Sequence, residues 1–536
     1  MKTIFINKFI VLVACLFVIS CIDLTEKVYD QLTAEDYINN FSERDVPGAF
    51  GVVYSNLRNL YMGSSAHTGG CYLWTNEEVG DSWVTPRRGG AWYDGGIYYR
   101  LNQHKWNTDD AHMLGNWRHA YTGINSCNRL LFQFEDATTV DNIQSYLAEL
   151  KVARAFWYYV LVDMYGNVPL VTKYDNPPDY LPTQSSRQEV FNFIVKEIED
   201  NIDLLSNKIY GRWNKYSATH LLARIYLNGE VWTGTAYWDK VISLCNTIIE
   251  SGQYQLEPDY KNPFRTANES SSEIIMGISN DEVYNTEANG FLIHKWTMHQ
   301  HFQFHNGYNA GYWGGCCATP DLANSYHPED LRFEKSWLEG QLYDNTGLLT
   351  GTIGSPIYCV PWDSRDAGKL LIYTKDIPLF EGDDPPGTGE AAGVRMYKYE
   401  IRYGALSRLS NDFVLFRYAE VLFMKAEAMY RKANRVANQE VVDLLNSVRK
   451  RAFTDFTGDK VLQVSELNDE RFLQEYAWEF CQEGHRRQQM IRFGVFTTKT
   501  WFLHDSSEPH RVLFPIPRNE MLANPNLVQN PGYPTN

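Results

Sequence analysis

Residues 153–170 read ARAFWYYVLVDMYGNVPL. Ala153, Phe156, Trp157, Val160, Leu161 and Met164 recur at spacings of three and four, which places them on one face of an α-helix. Gly166 is suited to close that helix, and Pro169 prevents its continuation. Four consecutive aromatics, Phe156, Trp157, Tyr158 and Tyr159, spread over more than this one face. The helix is therefore expected to touch neighbours on several sides and to pack a scaffold.

The same periodicity extends outward in both directions. It runs through 34–60 by way of Tyr37, Phe41, Phe50, Val53, Tyr54 and Leu57, and through 114–134 and 143–165 as an antiparallel pair. Ser186 and Glu189 form a capping box ahead of Val190 to Leu205; a turn containing Gly211 leads to Ala218–Leu227. A further helix spans about 237–249 and stops near Gly252. Helical sequence returns at 413–432, 440–452 and 469–493, the last ended by Gly494. Pairs of helices at roughly thirty to forty residues per unit are the mark of a helical-repeat array. The Trp-Leu-Gly-Tyr spacing of standard tetratricopeptide repeats is missing, so the repeats are divergent.

Two aperiodic excursions rich in aromatics, glycine and proline interrupt the array at 61–113 and 253–410. The expected fold is mainly α: a tetratricopeptide-like helical-repeat scaffold with long irregular, aromatic-rich insertions and a few short strands, such as one within Ser272–Ile278. Residues 34–536 read as a single domain, with repeats mainly at 34–60, 114–252 and 411–494. The stretch Glu381 to Gly393, EGDDPPGTGEAAG, reads as a mobile surface loop.

Hydrophobic residues make up 44% of the 536-residue chain and charged residues 21%, which excludes a mainly disordered protein. The formal net charge of -16 argues against a phosphate-binding protein, so no nucleic-acid partner is expected. Lys2, Lys8 and the apolar run Phe9 to Ile19 read as a secretory signal over residues 1–20. Leu12-Val13-Ala14-Cys15 resembles a lipoprotein cleavage box more closely than Val18-Ile19-Ser20-Cys21 does. Cutting before Cys15 would leave only Phe9 to Ala14 as the apolar core, so Cys21 is the expected lipidated residue, with 21–33 as a tether. The remaining cysteines are too scattered for a disulfide framework. Cys127, Cys245 and Cys481 fall in helical patterns and should be buried, whereas Cys71, Cys316, Cys317 and Cys359 lie in loop-like sequence with room for one optional disulfide.

An aromatic share of 14%, with 15 Trp and 35 Tyr, exceeds what packing ordinarily needs and points to binding by flat surfaces. A sugar ring offers an apolar C–H face to an aromatic side chain, while its hydroxyls need hydrogen-bond partners. The first excursion supplies Trp74, Asp81, Trp83, Trp92 and Tyr93 beside Asn76, Arg87, Arg88 and Asp94. The second supplies Trp296, Tyr308, Tyr312 and Trp313 beside Gln303, Asn306 and Asn309. The candidate ligand-binding set is Trp74, Asp81, Trp83, Trp92, Tyr93, Trp296, Tyr312 and Trp313, with burial in a loop core as the competing reading for each ring. His299, His301 and His305, with His294 nearby, have the density of a metal site but no fixed Cys or carboxylate to complete it, so no metal or cofactor is expected. For Asp383 and Asp384 a solvated loop is favoured over a calcium site.

A glycoside hydrolase needs two facing carboxyl groups, and among 65 acidic residues such pairs are too numerous to be informative. No Gly-x-Ser-x-Gly elbow, His-Glu-x-x-His helix or phosphate loop is present. A peptide-binding repeat module is the third class compatible with a helical array.

Several ordered blocks then coincide. They are Arg154-Ala155-Phe156 through Tyr165-Gly166-Asn167-Val168-Pro169-Leu170; Ser217 to Leu227; Arg417-Tyr418-Ala419-Glu420-Val421 with Ala426-Glu427-Ala428; and Leu445-Asn446-Ser447-Val448-Arg449. Glu483-Gly484-His485-Arg486, Leu513-Phe514-Pro515-Ile516-Pro517, Asn524-Pro525-Asn526-Leu527 and Gly532-Tyr533 complete the series. With the lipoprotein start, this order resembles the SusD/RagB-like outer-membrane nutrient-binding lipoproteins of Bacteroidetes. One departure is Gln489-Met490, where the family usually has Asp-Leu. The resemblance implies four divergent tetratricopeptide-like helix pairs carrying an irregular ligand-binding half. It further implies a lipid-anchored, non-catalytic protein at the surface of the outer membrane that captures oligosaccharides and hands them to a TonB-dependent transporter of SusC type. Leu513 to Pro517 and the final Asn-Pro segment are expected to be a packing and docking strap.

Overall fold

The computed structural model of the chain describes residues 44–62, 72–135, 140–286, 288, 290–360 and 364–535. The signal, Cys21, the tether and Cys71 lie outside the described residues. The scaffold helices are α1 Val46–Met62, α2 Ala111–Phe134, α3 Ile143–Tyr165, α4 Arg187–Glu199, α5 Lys215–Leu227, α6 Trp238–Glu250, α7 Tyr418–Lys432, α8 Gln439–Arg449, α9 Asp469–Phe480 and α10 Arg486–Arg492.

Helix α3 is the axis of the stack. Every residue from Ala148 to Tyr165 except Lys151 is buried, as expected of a helix that is apolar all round. Its four aromatics face four ways. Phe156 packs on Trp213 with ring centroids 5.4 Å apart. Trp157 lies on Gly123 of α2 so closely that a Cβ there would sit 2.1 Å from the indole. The Tyr158 hydroxyl donates to the Val171 carbonyl at 2.8 Å, and that of Tyr159 donates to Gln488 of α10 at 2.9 Å. Gly166 closes the helix at φ 74°, and Ser186 and Glu189 form the expected capping box at the start of α4.

Helices α1 to α4 pack in succession, and α5, α6, α7 and α8 continue the stack in the same way. Helix α7 packs directly on α6, although the whole second excursion separates them in sequence. A buried pair, Arg224 of α5 with Glu420 of α7 at 2.6 Å, spans the same joint. The excursion leaves and re-enters the stack through strand β1, Ile274–Ile278, paired antiparallel with strand β2, Phe413–Arg417. Both strands are buried throughout and apolar except for Arg417, so the ribbon closes the insertion onto the helices.

Two-residue ladders stitch the excursions together: Trp83–Val84 pairs with Cys317–Ala318, and Arg87–Arg88 runs parallel to Gly387–Thr388. The second ladder corrects the reading of 381–393 as a surface loop for its second half, 387–393, whereas 381–386 are exposed or half-buried. Thr388 and Glu390 are buried because Arg88 and Arg395 direct their guanidinium groups at the Gly389 and Glu390 carbonyls. The six described cysteines are free and buried, Cys127, Cys245 and Cys481 as expected.

The helix expected over 469–493 is two helices, α9 and α10, broken at Cys481 to His485. Gln482 and Gly484 both have positive φ. The break is built by its partners. The Gly484 and His485 amides donate to the buried Glu77 carboxylate, at 2.7 and 3.2 Å. Glu483 meets Arg417 at 2.7 Å and Lys398 at 2.5 Å. Arg417 also pairs with Glu273 and Glu479, which are shared with Arg451. This buried cluster sits at the foot of the β1–β2 ribbon and ties it to the last helices.

Candidate functional site

The tryptophans of the two excursions converge, but inward. Trp74 packs against Trp83 at 5.1 Å, Trp92 at 6.3 Å, Tyr98 at 4.7 Å and Trp296 at 5.7 Å between ring centroids. Trp74, Trp83 and Trp296 are 0% exposed, so these three are core and not ligand platforms. Their large apolar area is removed from water most completely where the two excursions meet. Tyr312 is likewise buried, edge-on to Phe302 at 5.2 Å. Trp92, 8% exposed and at φ 60°, joins this core to the surface, its indole N–H donating to the Trp313 carbonyl at 2.7 Å.

The tyrosines face outward. The five-residue helix Phe302–Asn306 is flanked by Tyr308, Tyr343, Tyr358 and Tyr403, which are between 42% and 64% exposed. Specific bonds bring them there. The His305 and His301 Nδ1 atoms lie 3.1 and 2.7 Å from the Tyr343 and Tyr358 carbonyls. The Gly404 amide donates to the Asn306 carbonyl, which seats Tyr403 over Gly307. Gly307 has φ 81°, which favours glycine, and a Cβ there would lie 2.4 Å from the Tyr403 ring and push it aside. Trp313, half-buried, continues the face with Lys295 Nζ 4.8 Å from its ring centroid, and Tyr93 stands exposed beside Trp92. Of the candidate residues, Tyr93 and Trp313 keep exposed surface, and Trp92 lies just beneath it, bonded to Trp313.

The polar groups around it are mostly held in place. Asp344 accepts from the Thr346, Gly347, Leu349 and Thr350 amides and so fixes the turn that follows Tyr343. Burial would push its carboxyl up, but these bonds hold it well below the usual carboxylate range. His299 bonds Glu390 at 2.6 Å deep in the fold, with its own pKa pushed down by burial. The histidines thus work separately, and among the described residues no group of three or more His, Cys, Asp or Glu is arranged to hold a metal ion.

Asp81 belongs elsewhere. Burial opposes its ionisation, yet Arg486 and Lys499 outweigh burial and hold its carboxyl well below the usual range. It lines a separate cavity of about 430 Å³ with Leu473 and Phe493, away from the exposed tyrosines. Tyr343, Tyr358 and Tyr403 were not among the residues singled out from sequence. The signal available for them was chemical: in an aromatic-rich loop the indoles go inward, whereas a phenol can keep its hydroxyl in water.

The family described as "SusD family" matches residues 272–506, and that described as "Starch-binding associating with outer membrane" matches residues 61–227. The chain is 24% identical over 492 residues to the starch-binding protein SusD of Bacteroides thetaiotaomicron, covering 83% of this chain and 82% of that protein. Its fold matches a SusD superfamily protein of Parabacteroides distasonis with a TM-score of 0.72 at 19% identity, over 94% of this chain and 100% of the other. It also matches surface glycan-binding protein A of Bacteroides thetaiotaomicron in complex with laminarihexaose, with a TM-score of 0.67 at 21% identity, over 91% of this chain and 100% of the other.

Proposed function

Because the chain belongs to the SusD/RagB-like family of Bacteroidetes, we propose that it is a non-catalytic glycan-binding protein of the cell surface. The observation that carries this reading is the group of exposed tyrosines arranged around the helix Phe302–Asn306, continued by Trp313. Phenol rings held at fixed positions by backbone bonds suit the C–H faces of successive sugar rings, and His301, Gln303 and Asn309 stand beside them for the hydroxyls. Each ring contributes about 1 kcal/mol, which places the affinity for an oligosaccharide in the micromolar to millimolar range.

Capture, not cleavage, is the proposed activity, since Asp344 and Glu390 of these segments are committed to structural bonds. The protein is proposed to be lipid-anchored at Cys21 in the outer membrane and to pass its glycan to a SusC-like TonB-dependent transporter. The relatives named for starch and for glycan binding support the ligand class. Affinity electrophoresis of the mature chain through gels containing starch, laminarin and other polysaccharides tests it. A retained chain that loses retention as Tyr308→Ala/Tyr343→Ala/Tyr358→Ala/Tyr403→Ala, with an unchanged melting curve, supports the site. Full retention of that variant refutes it. Labelling with a palmitate analogue, compared with Cys21→Ala, tests the anchor.

A further inference from the structure

A second pair of exposed rings stands on the scaffold. Phe132, near the end of α2, and Tyr174, beyond α3, are 48% and 42% exposed, with centroids 6.0 Å apart and planes inclined by 42°. Most other large aromatics of α2 and α3, from Trp117 and Phe134 to Phe156–Tyr159, are buried. The exposed pair walls a groove of about 450 Å³, within the range of small-molecule sites, that shares no lining residue with the face around Phe302–Asn306.

The wall that carries Tyr174 is preassembled. The Tyr158 hydroxyl both donates to the Val171 carbonyl, at 2.8 Å, and accepts from the Val171 amide, at 2.7 Å. Asn128 donates to the same carbonyl at 3.0 Å, and Arg154 donates to the Thr172 carbonyl at 3.0 Å while its other bonds hold Asn128 and Glu197. A ligand on Tyr174 therefore meets a fixed surface and does not have to order one. Three cations, Lys151, Arg154 and Lys173, line the groove with two anions, Glu135 and Asp175, and Arg154 is already paired with Glu197 behind the wall. That balance gives no preference for a phosphorylated or otherwise polyanionic ligand and offers both donors and acceptors to hydroxyl groups.

We infer that the groove between Phe132 and Tyr174 is a second carbohydrate site, taking a short stretch of the same neutral glycan. The inference rests on the proposed glycan-binding function. Two sites on one rigid chain hold a polysaccharide by avidity, whereas a short oligosaccharide fills each site independently.

The test compares the full mature chain with two variants, Phe132→Ala/Tyr174→Ala on the scaffold and Tyr308→Ala/Tyr403→Ala on the other face. A glycan array selects the polysaccharide that the wild type binds, and a hexasaccharide of the same linkage is titrated by calorimetry. The expected results are two hexasaccharides per chain, one in the scaffold variant, and a loss of about tenfold or more in that variant's apparent affinity for the polysaccharide. Phe132→Tyr/Tyr174→Phe keeps both rings and should keep both values, and melting curves confirm folding. One hexasaccharide per wild-type chain, lost only in the Tyr308→Ala/Tyr403→Ala variant, overturns the second site and leaves the proposed function standing. Unchanged binding in both variants, or no binding across the array, overturns both, including the case in which peptides are bound instead.

Discussion

Gly123 and Trp157 define a double-substitution cycle whose outcome follows from one contact. Trp157→Ala removes a side chain that is 1% exposed, and truncation of a buried large aromatic costs about 3–5 kcal/mol. Gly123→Ala places a methyl 2.1 Å from the indole, and neither helix can move freely because α3 is packed on every side. Overpacking of this kind costs about 1–3 kcal/mol, against which the gain in helix propensity of Ala over Gly is about 1 kcal/mol. In the Trp157→Ala background the clash has gone, so Gly123→Ala should stabilise, by that propensity term and by filling part of the cavity. The two substitutions should therefore couple by about 2 kcal/mol or more, the double variant being more stable than Trp157→Ala alone. Urea denaturation followed by tryptophan fluorescence and circular dichroism measures all four corners. Equal destabilisation by Gly123→Ala in both backgrounds would refute the argument from close approach. Loss of glycan binding by a fully stable Trp157→Ala protein would refute its assignment to the scaffold.

Other expectations are as direct. Arg417→Met leaves Glu273, Glu479 and Glu483 buried with one cation fewer, and the loss should be about 3–5 kcal/mol by chemical denaturation. A change below 1 kcal/mol would show that the cluster tolerates the imbalance. Gly307→Ala should displace Tyr403 and weaken glycan binding about fivefold, as Tyr403→Ala should, by roughly 1 kcal/mol; calorimetry that finds full affinity would exclude Tyr403 from the site. Burial pushes the Glu77 carboxyl up to about 7 and that of Glu78 up to about 8. Both groups bind their proton more tightly folded than unfolded, so their contribution to stability is complete below about pH 4.5 and is lost as pH rises through 7 and 8. The slope approaches roughly 1.4 kcal/mol per pH unit for each group in its window. Melting temperatures from pH 5 to 9 should fall accordingly, and Glu78→Gln should flatten the upper part; an unchanged profile in that variant would assign the loss elsewhere.

The helices were legible because period, caps and stops agree along a single stretch of chain. The face of α3, the box at Ser186 and Glu189 and the stop at Gly166 all depend on residues within a few positions of one another. The break at Cys481 to His485 was not legible, since its cause is Glu77, some 400 residues earlier in the chain, accepting the Gly484 and His485 amides. The proposed binding face was half legible. Composition marked both excursions as aromatic surfaces, but the strands that order them are mostly two residues long and leave no alternation to read. Which rings point out was decided by contacts between Trp74 and Trp296, far apart in sequence, and this took Trp74, Trp83, Trp296 and Tyr312 inward while Tyr343, Tyr358 and Tyr403 stayed outside.

The β1–β2 ribbon has a consequence for how such a chain diversifies. The entropy of closing a loop grows only with the logarithm of its length, so what hangs beyond a closed neck can lengthen, shorten or be rewritten with little penalty to the stack that carries it. Helices α6 and α7 can keep their contact while the intervening residues vary, provided that Ile274–Ile278 still meets Phe413–Arg417 and that the anchors at Trp296 and Lys398 are kept. Between those anchors the insertion has room to vary, and the neck and anchors are the parts that selection for a new ligand has least freedom to alter.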